Sequence, residues 1–271
     1  MFICPVCNKI FSGYPKRCPH CRTQNDFSKI SSAPSYANAD FNDMLSAYDT
    51  VIALDTETTG LSFHADRVIE LSCVTLTDCG KNMREDDLLI KLPDGNKLPH
   101  NIVELTHITD EMLDTDGITE KEATDTFLSL FHGDRYLLIA HNTQFDMNFI
   151  YHMLRRQGAT EILRKCDMLD TLTVFKDRHD YPHKLENAIS VYGLEGIVKN
   201  SHRAIDDTRA LFEVLKAMDA EKHDLTCYIN LFGYNSKYGV SGDRIGSVHY
   251  VAQPYTRRMP LYNLAALGTG A

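Results

Sequence analysis

The sequence predicts an α/β protein built on a mixed sheet with helices on both faces, carrying a small N-terminal zinc ribbon and a C-terminal extension. Three observations lead there. Apolar, strand-like runs come first and then alternate with helical patterns, the order expected of a sheet covered on both sides. Four of the eight cysteines, Cys4, Cys7, Cys18 and Cys21, fall at the very start as two CxxC pairs. Beyond residue 220 the alternation breaks into a stretch rich in Gly, Asn and Tyr.

The two CxxC knuckles flank a ten-residue loop and can set four thiolates around one Zn²⁺. His20, inside the second knuckle, reads as a bystander. So short a segment builds no core of its own, so metal is expected to fold it. A disulfide pair or a rubredoxin-like iron site are the alternatives. The start MFICPVCNK lacks the apolar core of a secretion signal, which predicts a cytoplasmic chain and speaks against disulfides. The expected division is a ribbon over 1–25, a Ser-, Ala- and Asn-rich linker over 26–47, a main domain over 48–220 and the extension over 221–271. Within the main domain, strands are expected at Val51–Leu54, Val68–Leu76 and Leu88–Leu92. Thr119 followed by Glu122 spells a capping box, so a helix should start there. Tyr136–Ala140 is a further strand, and helices follow at about 145–157, 184–192 and 206–219.

At 271 residues, 43% hydrophobic and 24% charged, the chain has the composition of a soluble globular protein. No run approaches the ~18–20 apolar residues of a membrane span, so no membrane is expected as partner. The net charge of −9 divides unevenly: residues 1–47 and 221–271 each carry five basic and three acidic groups, leaving −13 between them. An acidic centre with mildly basic ends suits a carboxylate-rich metal site with polyanion contacts placed elsewhere, although a solvated acidic surface would read the same.

Asp55 and Glu57 stand two apart at the end of a buried strand, so alternation aims both carboxylates to one face. Two buried like charges need a cation; an exposed strand end is the plainer alternative for this pair alone. Asp146 shares a helix face with Phe149, Ile150 and Met153, and Asp207 one with Leu211, Val214 and Met218. Both acids therefore point inward, whereas Asp206 lines up with Arg209 and Glu213 and belongs to the surface. His202, five residues before Asp207, is a candidate general base with a reference pKa near ~6.5, although a lone His is more often structural.

Three ordered motifs carry these side chains: LDTETTG at 54–60, HNTQFDMNF around Asp146, and HRAIDD with His202 and Asp207 in His-x4-Asp spacing. In them the chain resembles the DEDDh (DnaQ-like) exonucleases, and is similar to the proofreading exonuclease subunits and domains of bacterial DNA polymerase III. LTHITDEML, CDMLDT and KLENAISVYGL extend the resemblance over about residues 50–220. It implies a ribonuclease H-like fold and removal of nucleoside 5′-monophosphates from 3′ ends, of DNA in preference to RNA, with a polymerase or repair protein as partner. Asp55 would bridge two ions, Glu57 and Asp207 would complete the first, Asp146 would hold the second, and His202 would take the proton from the attacking water. Hard oxygen donors favour Mg²⁺ or Mn²⁺ over Zn²⁺ in that centre. His107 departs from the family, which more often has Gly there. Two other readings stay open, an RNA-trimming exoribonuclease and a catalytically silent binding module. The extension, with Tyr228, Phe232, Tyr234, Tyr238, Tyr250 and Tyr255 among scattered cations, is expected to pack on the core in preference to stacking bases, because no dense basic cluster accompanies the aromatics.

Overall fold

Nine-residue β3 (Thr50–Thr58) lies at the centre of a five-stranded sheet of order β5-β4-β3-β6-β7. The computed structural model describes residues 2–3, 10–11, 42–198, 203–254 and 259–266. Ahead of the sheet, β1 (Phe2–Ile3) pairs antiparallel with β2 (Ile10–Phe11), and a short helix α1 (Asn42–Leu45) leads into β3. Strands β4 (Val68–Thr77) and β5 (Asn82–Leu89) complete an antiparallel meander, while β6 (Tyr136–Ala140) and β7 (Cys166–Asp170) add parallel to the other side of β3. Helices α2 (His100–Thr106), α3 (Asp110–Asp116) and α4 (Glu120–Leu128) lie between β5 and β6. α5 (Thr143–Arg156) connects β6 to β7, and α6 (Thr171–Arg178), α7 (Leu185–Val191) and α8 (Ala204–Glu221) follow. β8 (Leu231–Tyr234), β9 (His249–Ala252) and α9 (Leu261–Ala266) close the chain's described part.

Two cores result, one on each face of the sheet. Val51, Leu76, Leu137 and Ile139 pack with Val214, Leu215 and Met218 of α8 and with Phe175 and Ile189 of α6 and α7. Ile52, Leu54, Leu71 and Leu138 pack with Phe127 of α4 and with Phe149, Ile150 and Met153 of α5. The sheet's two faces are both covered, so β3 reads as a continuous apolar run until Leu54 and alternates only beyond it, where the strand emerges at its C-terminal edge. No helix among the described residues is long and apolar enough to cross a membrane.

The expected strand at Leu88–Leu92 is displaced. β5 ends at Leu89, and Ile90 instead bridges Ile118. An edge strand needs no apolar alternation, and the run Asn82–Asp87, polar except for an exposed Met83, hid it. The last residues assigned to the linker also depart from expectation, since Met44 and Leu45 are buried in the first core. The capping box is present: Thr119 Oγ1 accepts from Glu122 N at 3.2 Å, and Glu122 accepts from Thr119 N at 2.8 Å.

Residues 225–262 join both cores. Tyr228, Leu231 and Val251 enter the first, Phe232 and Tyr250 the second. Asn230 locks onto β7, donating its N–H to Met168 O and accepting from Met168 N, and Gly233 N donates to Thr173 Oγ1. The described aromatics of this stretch therefore pack, except Tyr238, which is 74% exposed, while Tyr255 lies outside the described residues.

Candidate active site

At the C-terminal end of β3, Asp55 and Glu57 point to the α8 face and Thr56 to the other. α8 brings Asp207 to meet them: ligand oxygens of Asp55, Glu57 and Asp207 lie within 4.8 Å of one another. Asp146 comes from the opposite side, where its Oδ1 accepts from Thr56 N at 3.0 Å and from Thr56 Oγ1 at 2.8 Å. Thr56 thus ties the second acidic motif to the first, by the residue that sequence reading passed over as the spacer between two acids. Asp207 and Asp146 are buried, while Asp55 and Glu57 are half-buried at the floor of the cluster.

Desolvation dominates the electrostatics. It raises Asp55 well above the ordinary carboxylate range, with repulsion from Asp146, Asp207, Glu57 and Glu70 adding to the rise. Glu57 is pushed up to about 8, first by desolvation, then by Asp207, Glu70 and Asp146. Asp146 rises to about 7 through burial, held back by the bonds from Thr56. Carboxylates gathered at such a cost are stabilised by a divalent cation, and the all-oxygen donor set suits one.

Two further acids align the site and were not foreseen. Glu70, fully buried on β4 directly opposite Glu57 in the ladder, accepts from Arg203 Nε at 2.8 Å, from Arg203 Nη2 at 2.5 Å and from Ala204 N at 2.8 Å. It thereby anchors the first turn of α8 and sets where Asp207 stands. Its signal in the sequence is an acid inside the apolar run Val68-Ile69-Glu70-Leu71. Asp170, at the end of β7, accepts from Asn142 N, Thr143 N, Leu172 N, Thr173 N and Thr173 Oγ1, holding the starts of α5 and α6 together.

His202, Cys4, Cys7, Cys18 and Cys21 lie outside the described residues. His107 is the C-cap of α2, with φ 59° and ψ 13°. That left-handed conformation is one glycine adopts freely, which accounts physically for the Gly more usual at this position.

A ribonuclease H-like sheet with an acidic cluster at the end of its central strand is consistent with the class of metal-dependent nucleases. Residues 52–215 match the Exonuclease (RNase T) family model, and the chain belongs to that family. It is 33% identical over 172 residues to the DNA polymerase III subunit epsilon of Treponema pallidum, covering 62% of this chain and 75% of that one. It is 34% identical over 181 residues to the PolC-type DNA polymerase III of Halalkalibacterium halodurans, over 64% of this chain and 12% of that protein. The chain therefore spans about an eighth of the length of its PolC-type relatives. Among solved structures, E. coli exonuclease I with a dA16 oligonucleotide superposes with a TM-score of 0.57 at 19% identity, over 66% of this chain and 42% of that one. Cell-death related nuclease 4 gives 0.55 at 16% identity, over 65% of each. At those identities the structures speak for the fold.

Proposed function

We propose that this protein is a 3′→5′ exonuclease that releases nucleoside 5′-monophosphates from single-stranded DNA, using two Mg²⁺ or Mn²⁺ ions and His202 as general base. The observation that carries the reading is the meeting of Asp55, Glu57 and Asp207, with Asp146 fastened to the strand between the first two. Asp55, Glu57 and Asp207 would hold one ion, and Asp55 with Asp146 the other. Bound there, the ions would supply charge stabilisation for the phosphate and the leaving 3′ oxygen and acidify the attacking water. The protein's own residues do the rest of the work. Thr56 fixes the Asp146 rotamer, Glu70 and Arg203 fix the start of α8, and His202, next to Arg203 in sequence, would accept the proton released by the attacking water. Oxygen-only donors favour hard cations over Zn²⁺.

DNA as substrate and a replicative polymerase or repair protein as partner are supported by relatives that are DNA polymerase III proteins. The same reading makes 48–220 the exonuclease domain of a cytoplasmic protein, with a Zn²⁺ ribbon over 1–25. The antiparallel pairing of β1 and β2, whose connection holds Cys4 and Cys7, supports the ribbon, and one zinc per chain by elemental analysis is its expected result.

The test uses 5′-labelled single strands of DNA and RNA of one sequence. Shortening of the DNA from its 3′ end, with the RNA degraded more slowly, is expected. Shortening from the 5′ end, or faster loss of the RNA, contradicts the proposal.

A further inference from the structure

A second set of metal-ligating side chains shares no residue with the carboxylate cluster. His64 stands in the loop after β3, His152 on α5, and Asp243 in the loop before β9, with ligand atoms within 4.8 Å of one another. His152 Nε2 lies 3.5 Å from Asp243 Oδ2. With metal–ligand bonds of ~2.0–2.1 Å, the edge of a coordination tetrahedron is about 3.3 Å. One edge is thus near its length already, and the others close by rotation of His64 and Asp243, both exposed.

Two features set this cluster apart from a chance gathering. His152 is only 8% exposed, and its buried Nε2 makes no hydrogen bond; the approach to Asp243 has the distance of an ion pair without hydrogen-bond geometry. A buried imidazole nitrogen 3.5 Å from a carboxylate, without a well-aligned hydrogen bond, is placed to share an ion with it. The scaffold around it is also fixed. Gln144 Nε2 donates to Ser241 O at 2.9 Å and to Asp243 O at 2.7 Å, and Asp243 N donates to Asn148 Oδ1 at 2.8 Å. Gly242 makes that approach at φ +82°, where a Cβ would stand 3.1 Å from Asn148. Phe63, 5.3 Å from the His152 ring, closes one side of it, and the His64 ring meets it edge-on at 4.6 Å.

We propose that His64, His152 and Asp243 bind one divalent transition-metal ion of the Zn²⁺ class, with water completing the coordination. Two imidazoles and one carboxylate favour such an ion over Mg²⁺, which prefers oxygen alone. The ion would tie together the loop that leaves the carboxylate strand, the helix that bears Asp146, and the C-terminal segment. Plain ring stacking beside a His152–Asp243 ion pair would hold the same residues with no response to metal.

The full-length protein, stripped of metal, is dialysed against micromolar Co²⁺ with millimolar Mg²⁺ present to fill the oxygen site. Bound cobalt, its visible d–d absorption and the Tm are compared for the wild type, His64→Ala and Asp243→Asn. His64→Ala should keep a metal-free Tm close to that of the wild type, because His64 is exposed apart from its ring contacts with Phe63 and His152. Each variant should lose a single equivalent of cobalt and most of the cobalt-induced rise in Tm, whatever the N-terminal cysteines bind. Equal cobalt and an equal Tm response in the wild type and both variants would overturn the proposal.

Discussion

Glu70 is the residue on which the alignment of the site turns, because its carboxylate serves Arg203 and the first turn of α8 at once. Glu70→Gln keeps the acceptor for Ala204 N and removes the charge that holds Arg203. Supports of this kind contribute roughly 10–100-fold to metal affinity or activity. The variant should therefore bind Mn²⁺ and turn over about 10–100-fold less well while folding normally by circular dichroism; an unchanged Mn²⁺ titration would show that Asp207 is placed without it. Asp146 and Asp207 were legible in the sequence because helical periodicity turns them inward, and Asp55 and Glu57 because alternation sets both on one face, a pair read as a site only once the two helical acids joined it. Thr56, Glu70 and Asp170 were not, since their roles depend on partners 90, 133 and 28 positions away.

At the scale of the element, α2 ends on a strained residue. A non-glycine side chain in the left-handed region costs roughly 1–2 kcal/mol. His107 is exposed, and the cap bond from its N–H to Val103 O at 2.9 Å is one that glycine would keep. His107→Gly should accordingly raise stability by about 0.5–1 kcal/mol, part of the relief being returned through the freer unfolded chain. A fall in the denaturation midpoint would mean that the imidazole makes a contact that matters more than its backbone. The long, periodic elements, β3, β4, β6, α5 and α8, were readable because each buries a stripe of its own sequence. β5 was misplaced because an edge strand buries little, and α2, α3 and α6, at seven or eight residues, went unread, whereas α7 of the same length was read from Leu185, Ala188 and Ile189 at helical spacing.

For the whole molecule, the C-terminal segment and the site are joined through α5. Tyr250 donates to Gln144 at 2.6 Å in the same helix that presents Asp146, and Tyr228, Phe232, Tyr250 and Val251 are all buried. Losing one large buried side chain costs roughly 3–5 kcal/mol, and a whole domain is stable by only ~5–15 kcal/mol. Truncation after Ala220 should therefore abolish cooperative melting and activity together; a truncated chain with unchanged Tm would contradict this packing. The carboxylates set the pH response. Folded Asp146 and Glu57, raised to about 7 and about 8, keep their protons more tightly than unfolded carboxylates near ~4. Their contribution to stability is thus complete at acid pH and is lost as pH rises through 7–8. Metal-free protein should show a falling Tm between pH 5 and 9, with Mg²⁺ restoring more of it at the alkaline end; a metal-free Tm that rises over that range would contradict the clustering. The central claim, that these carboxylates hold the ions for cutting at 3′ ends, is tested most directly by Asp55→Asn, which preserves shape and removes one charge. Mn²⁺ binding at the acidic site and 3′→5′ degradation of labelled single-stranded DNA should both disappear while the variant melts at or above the wild-type temperature, and full degradation by the purified variant would contradict the account.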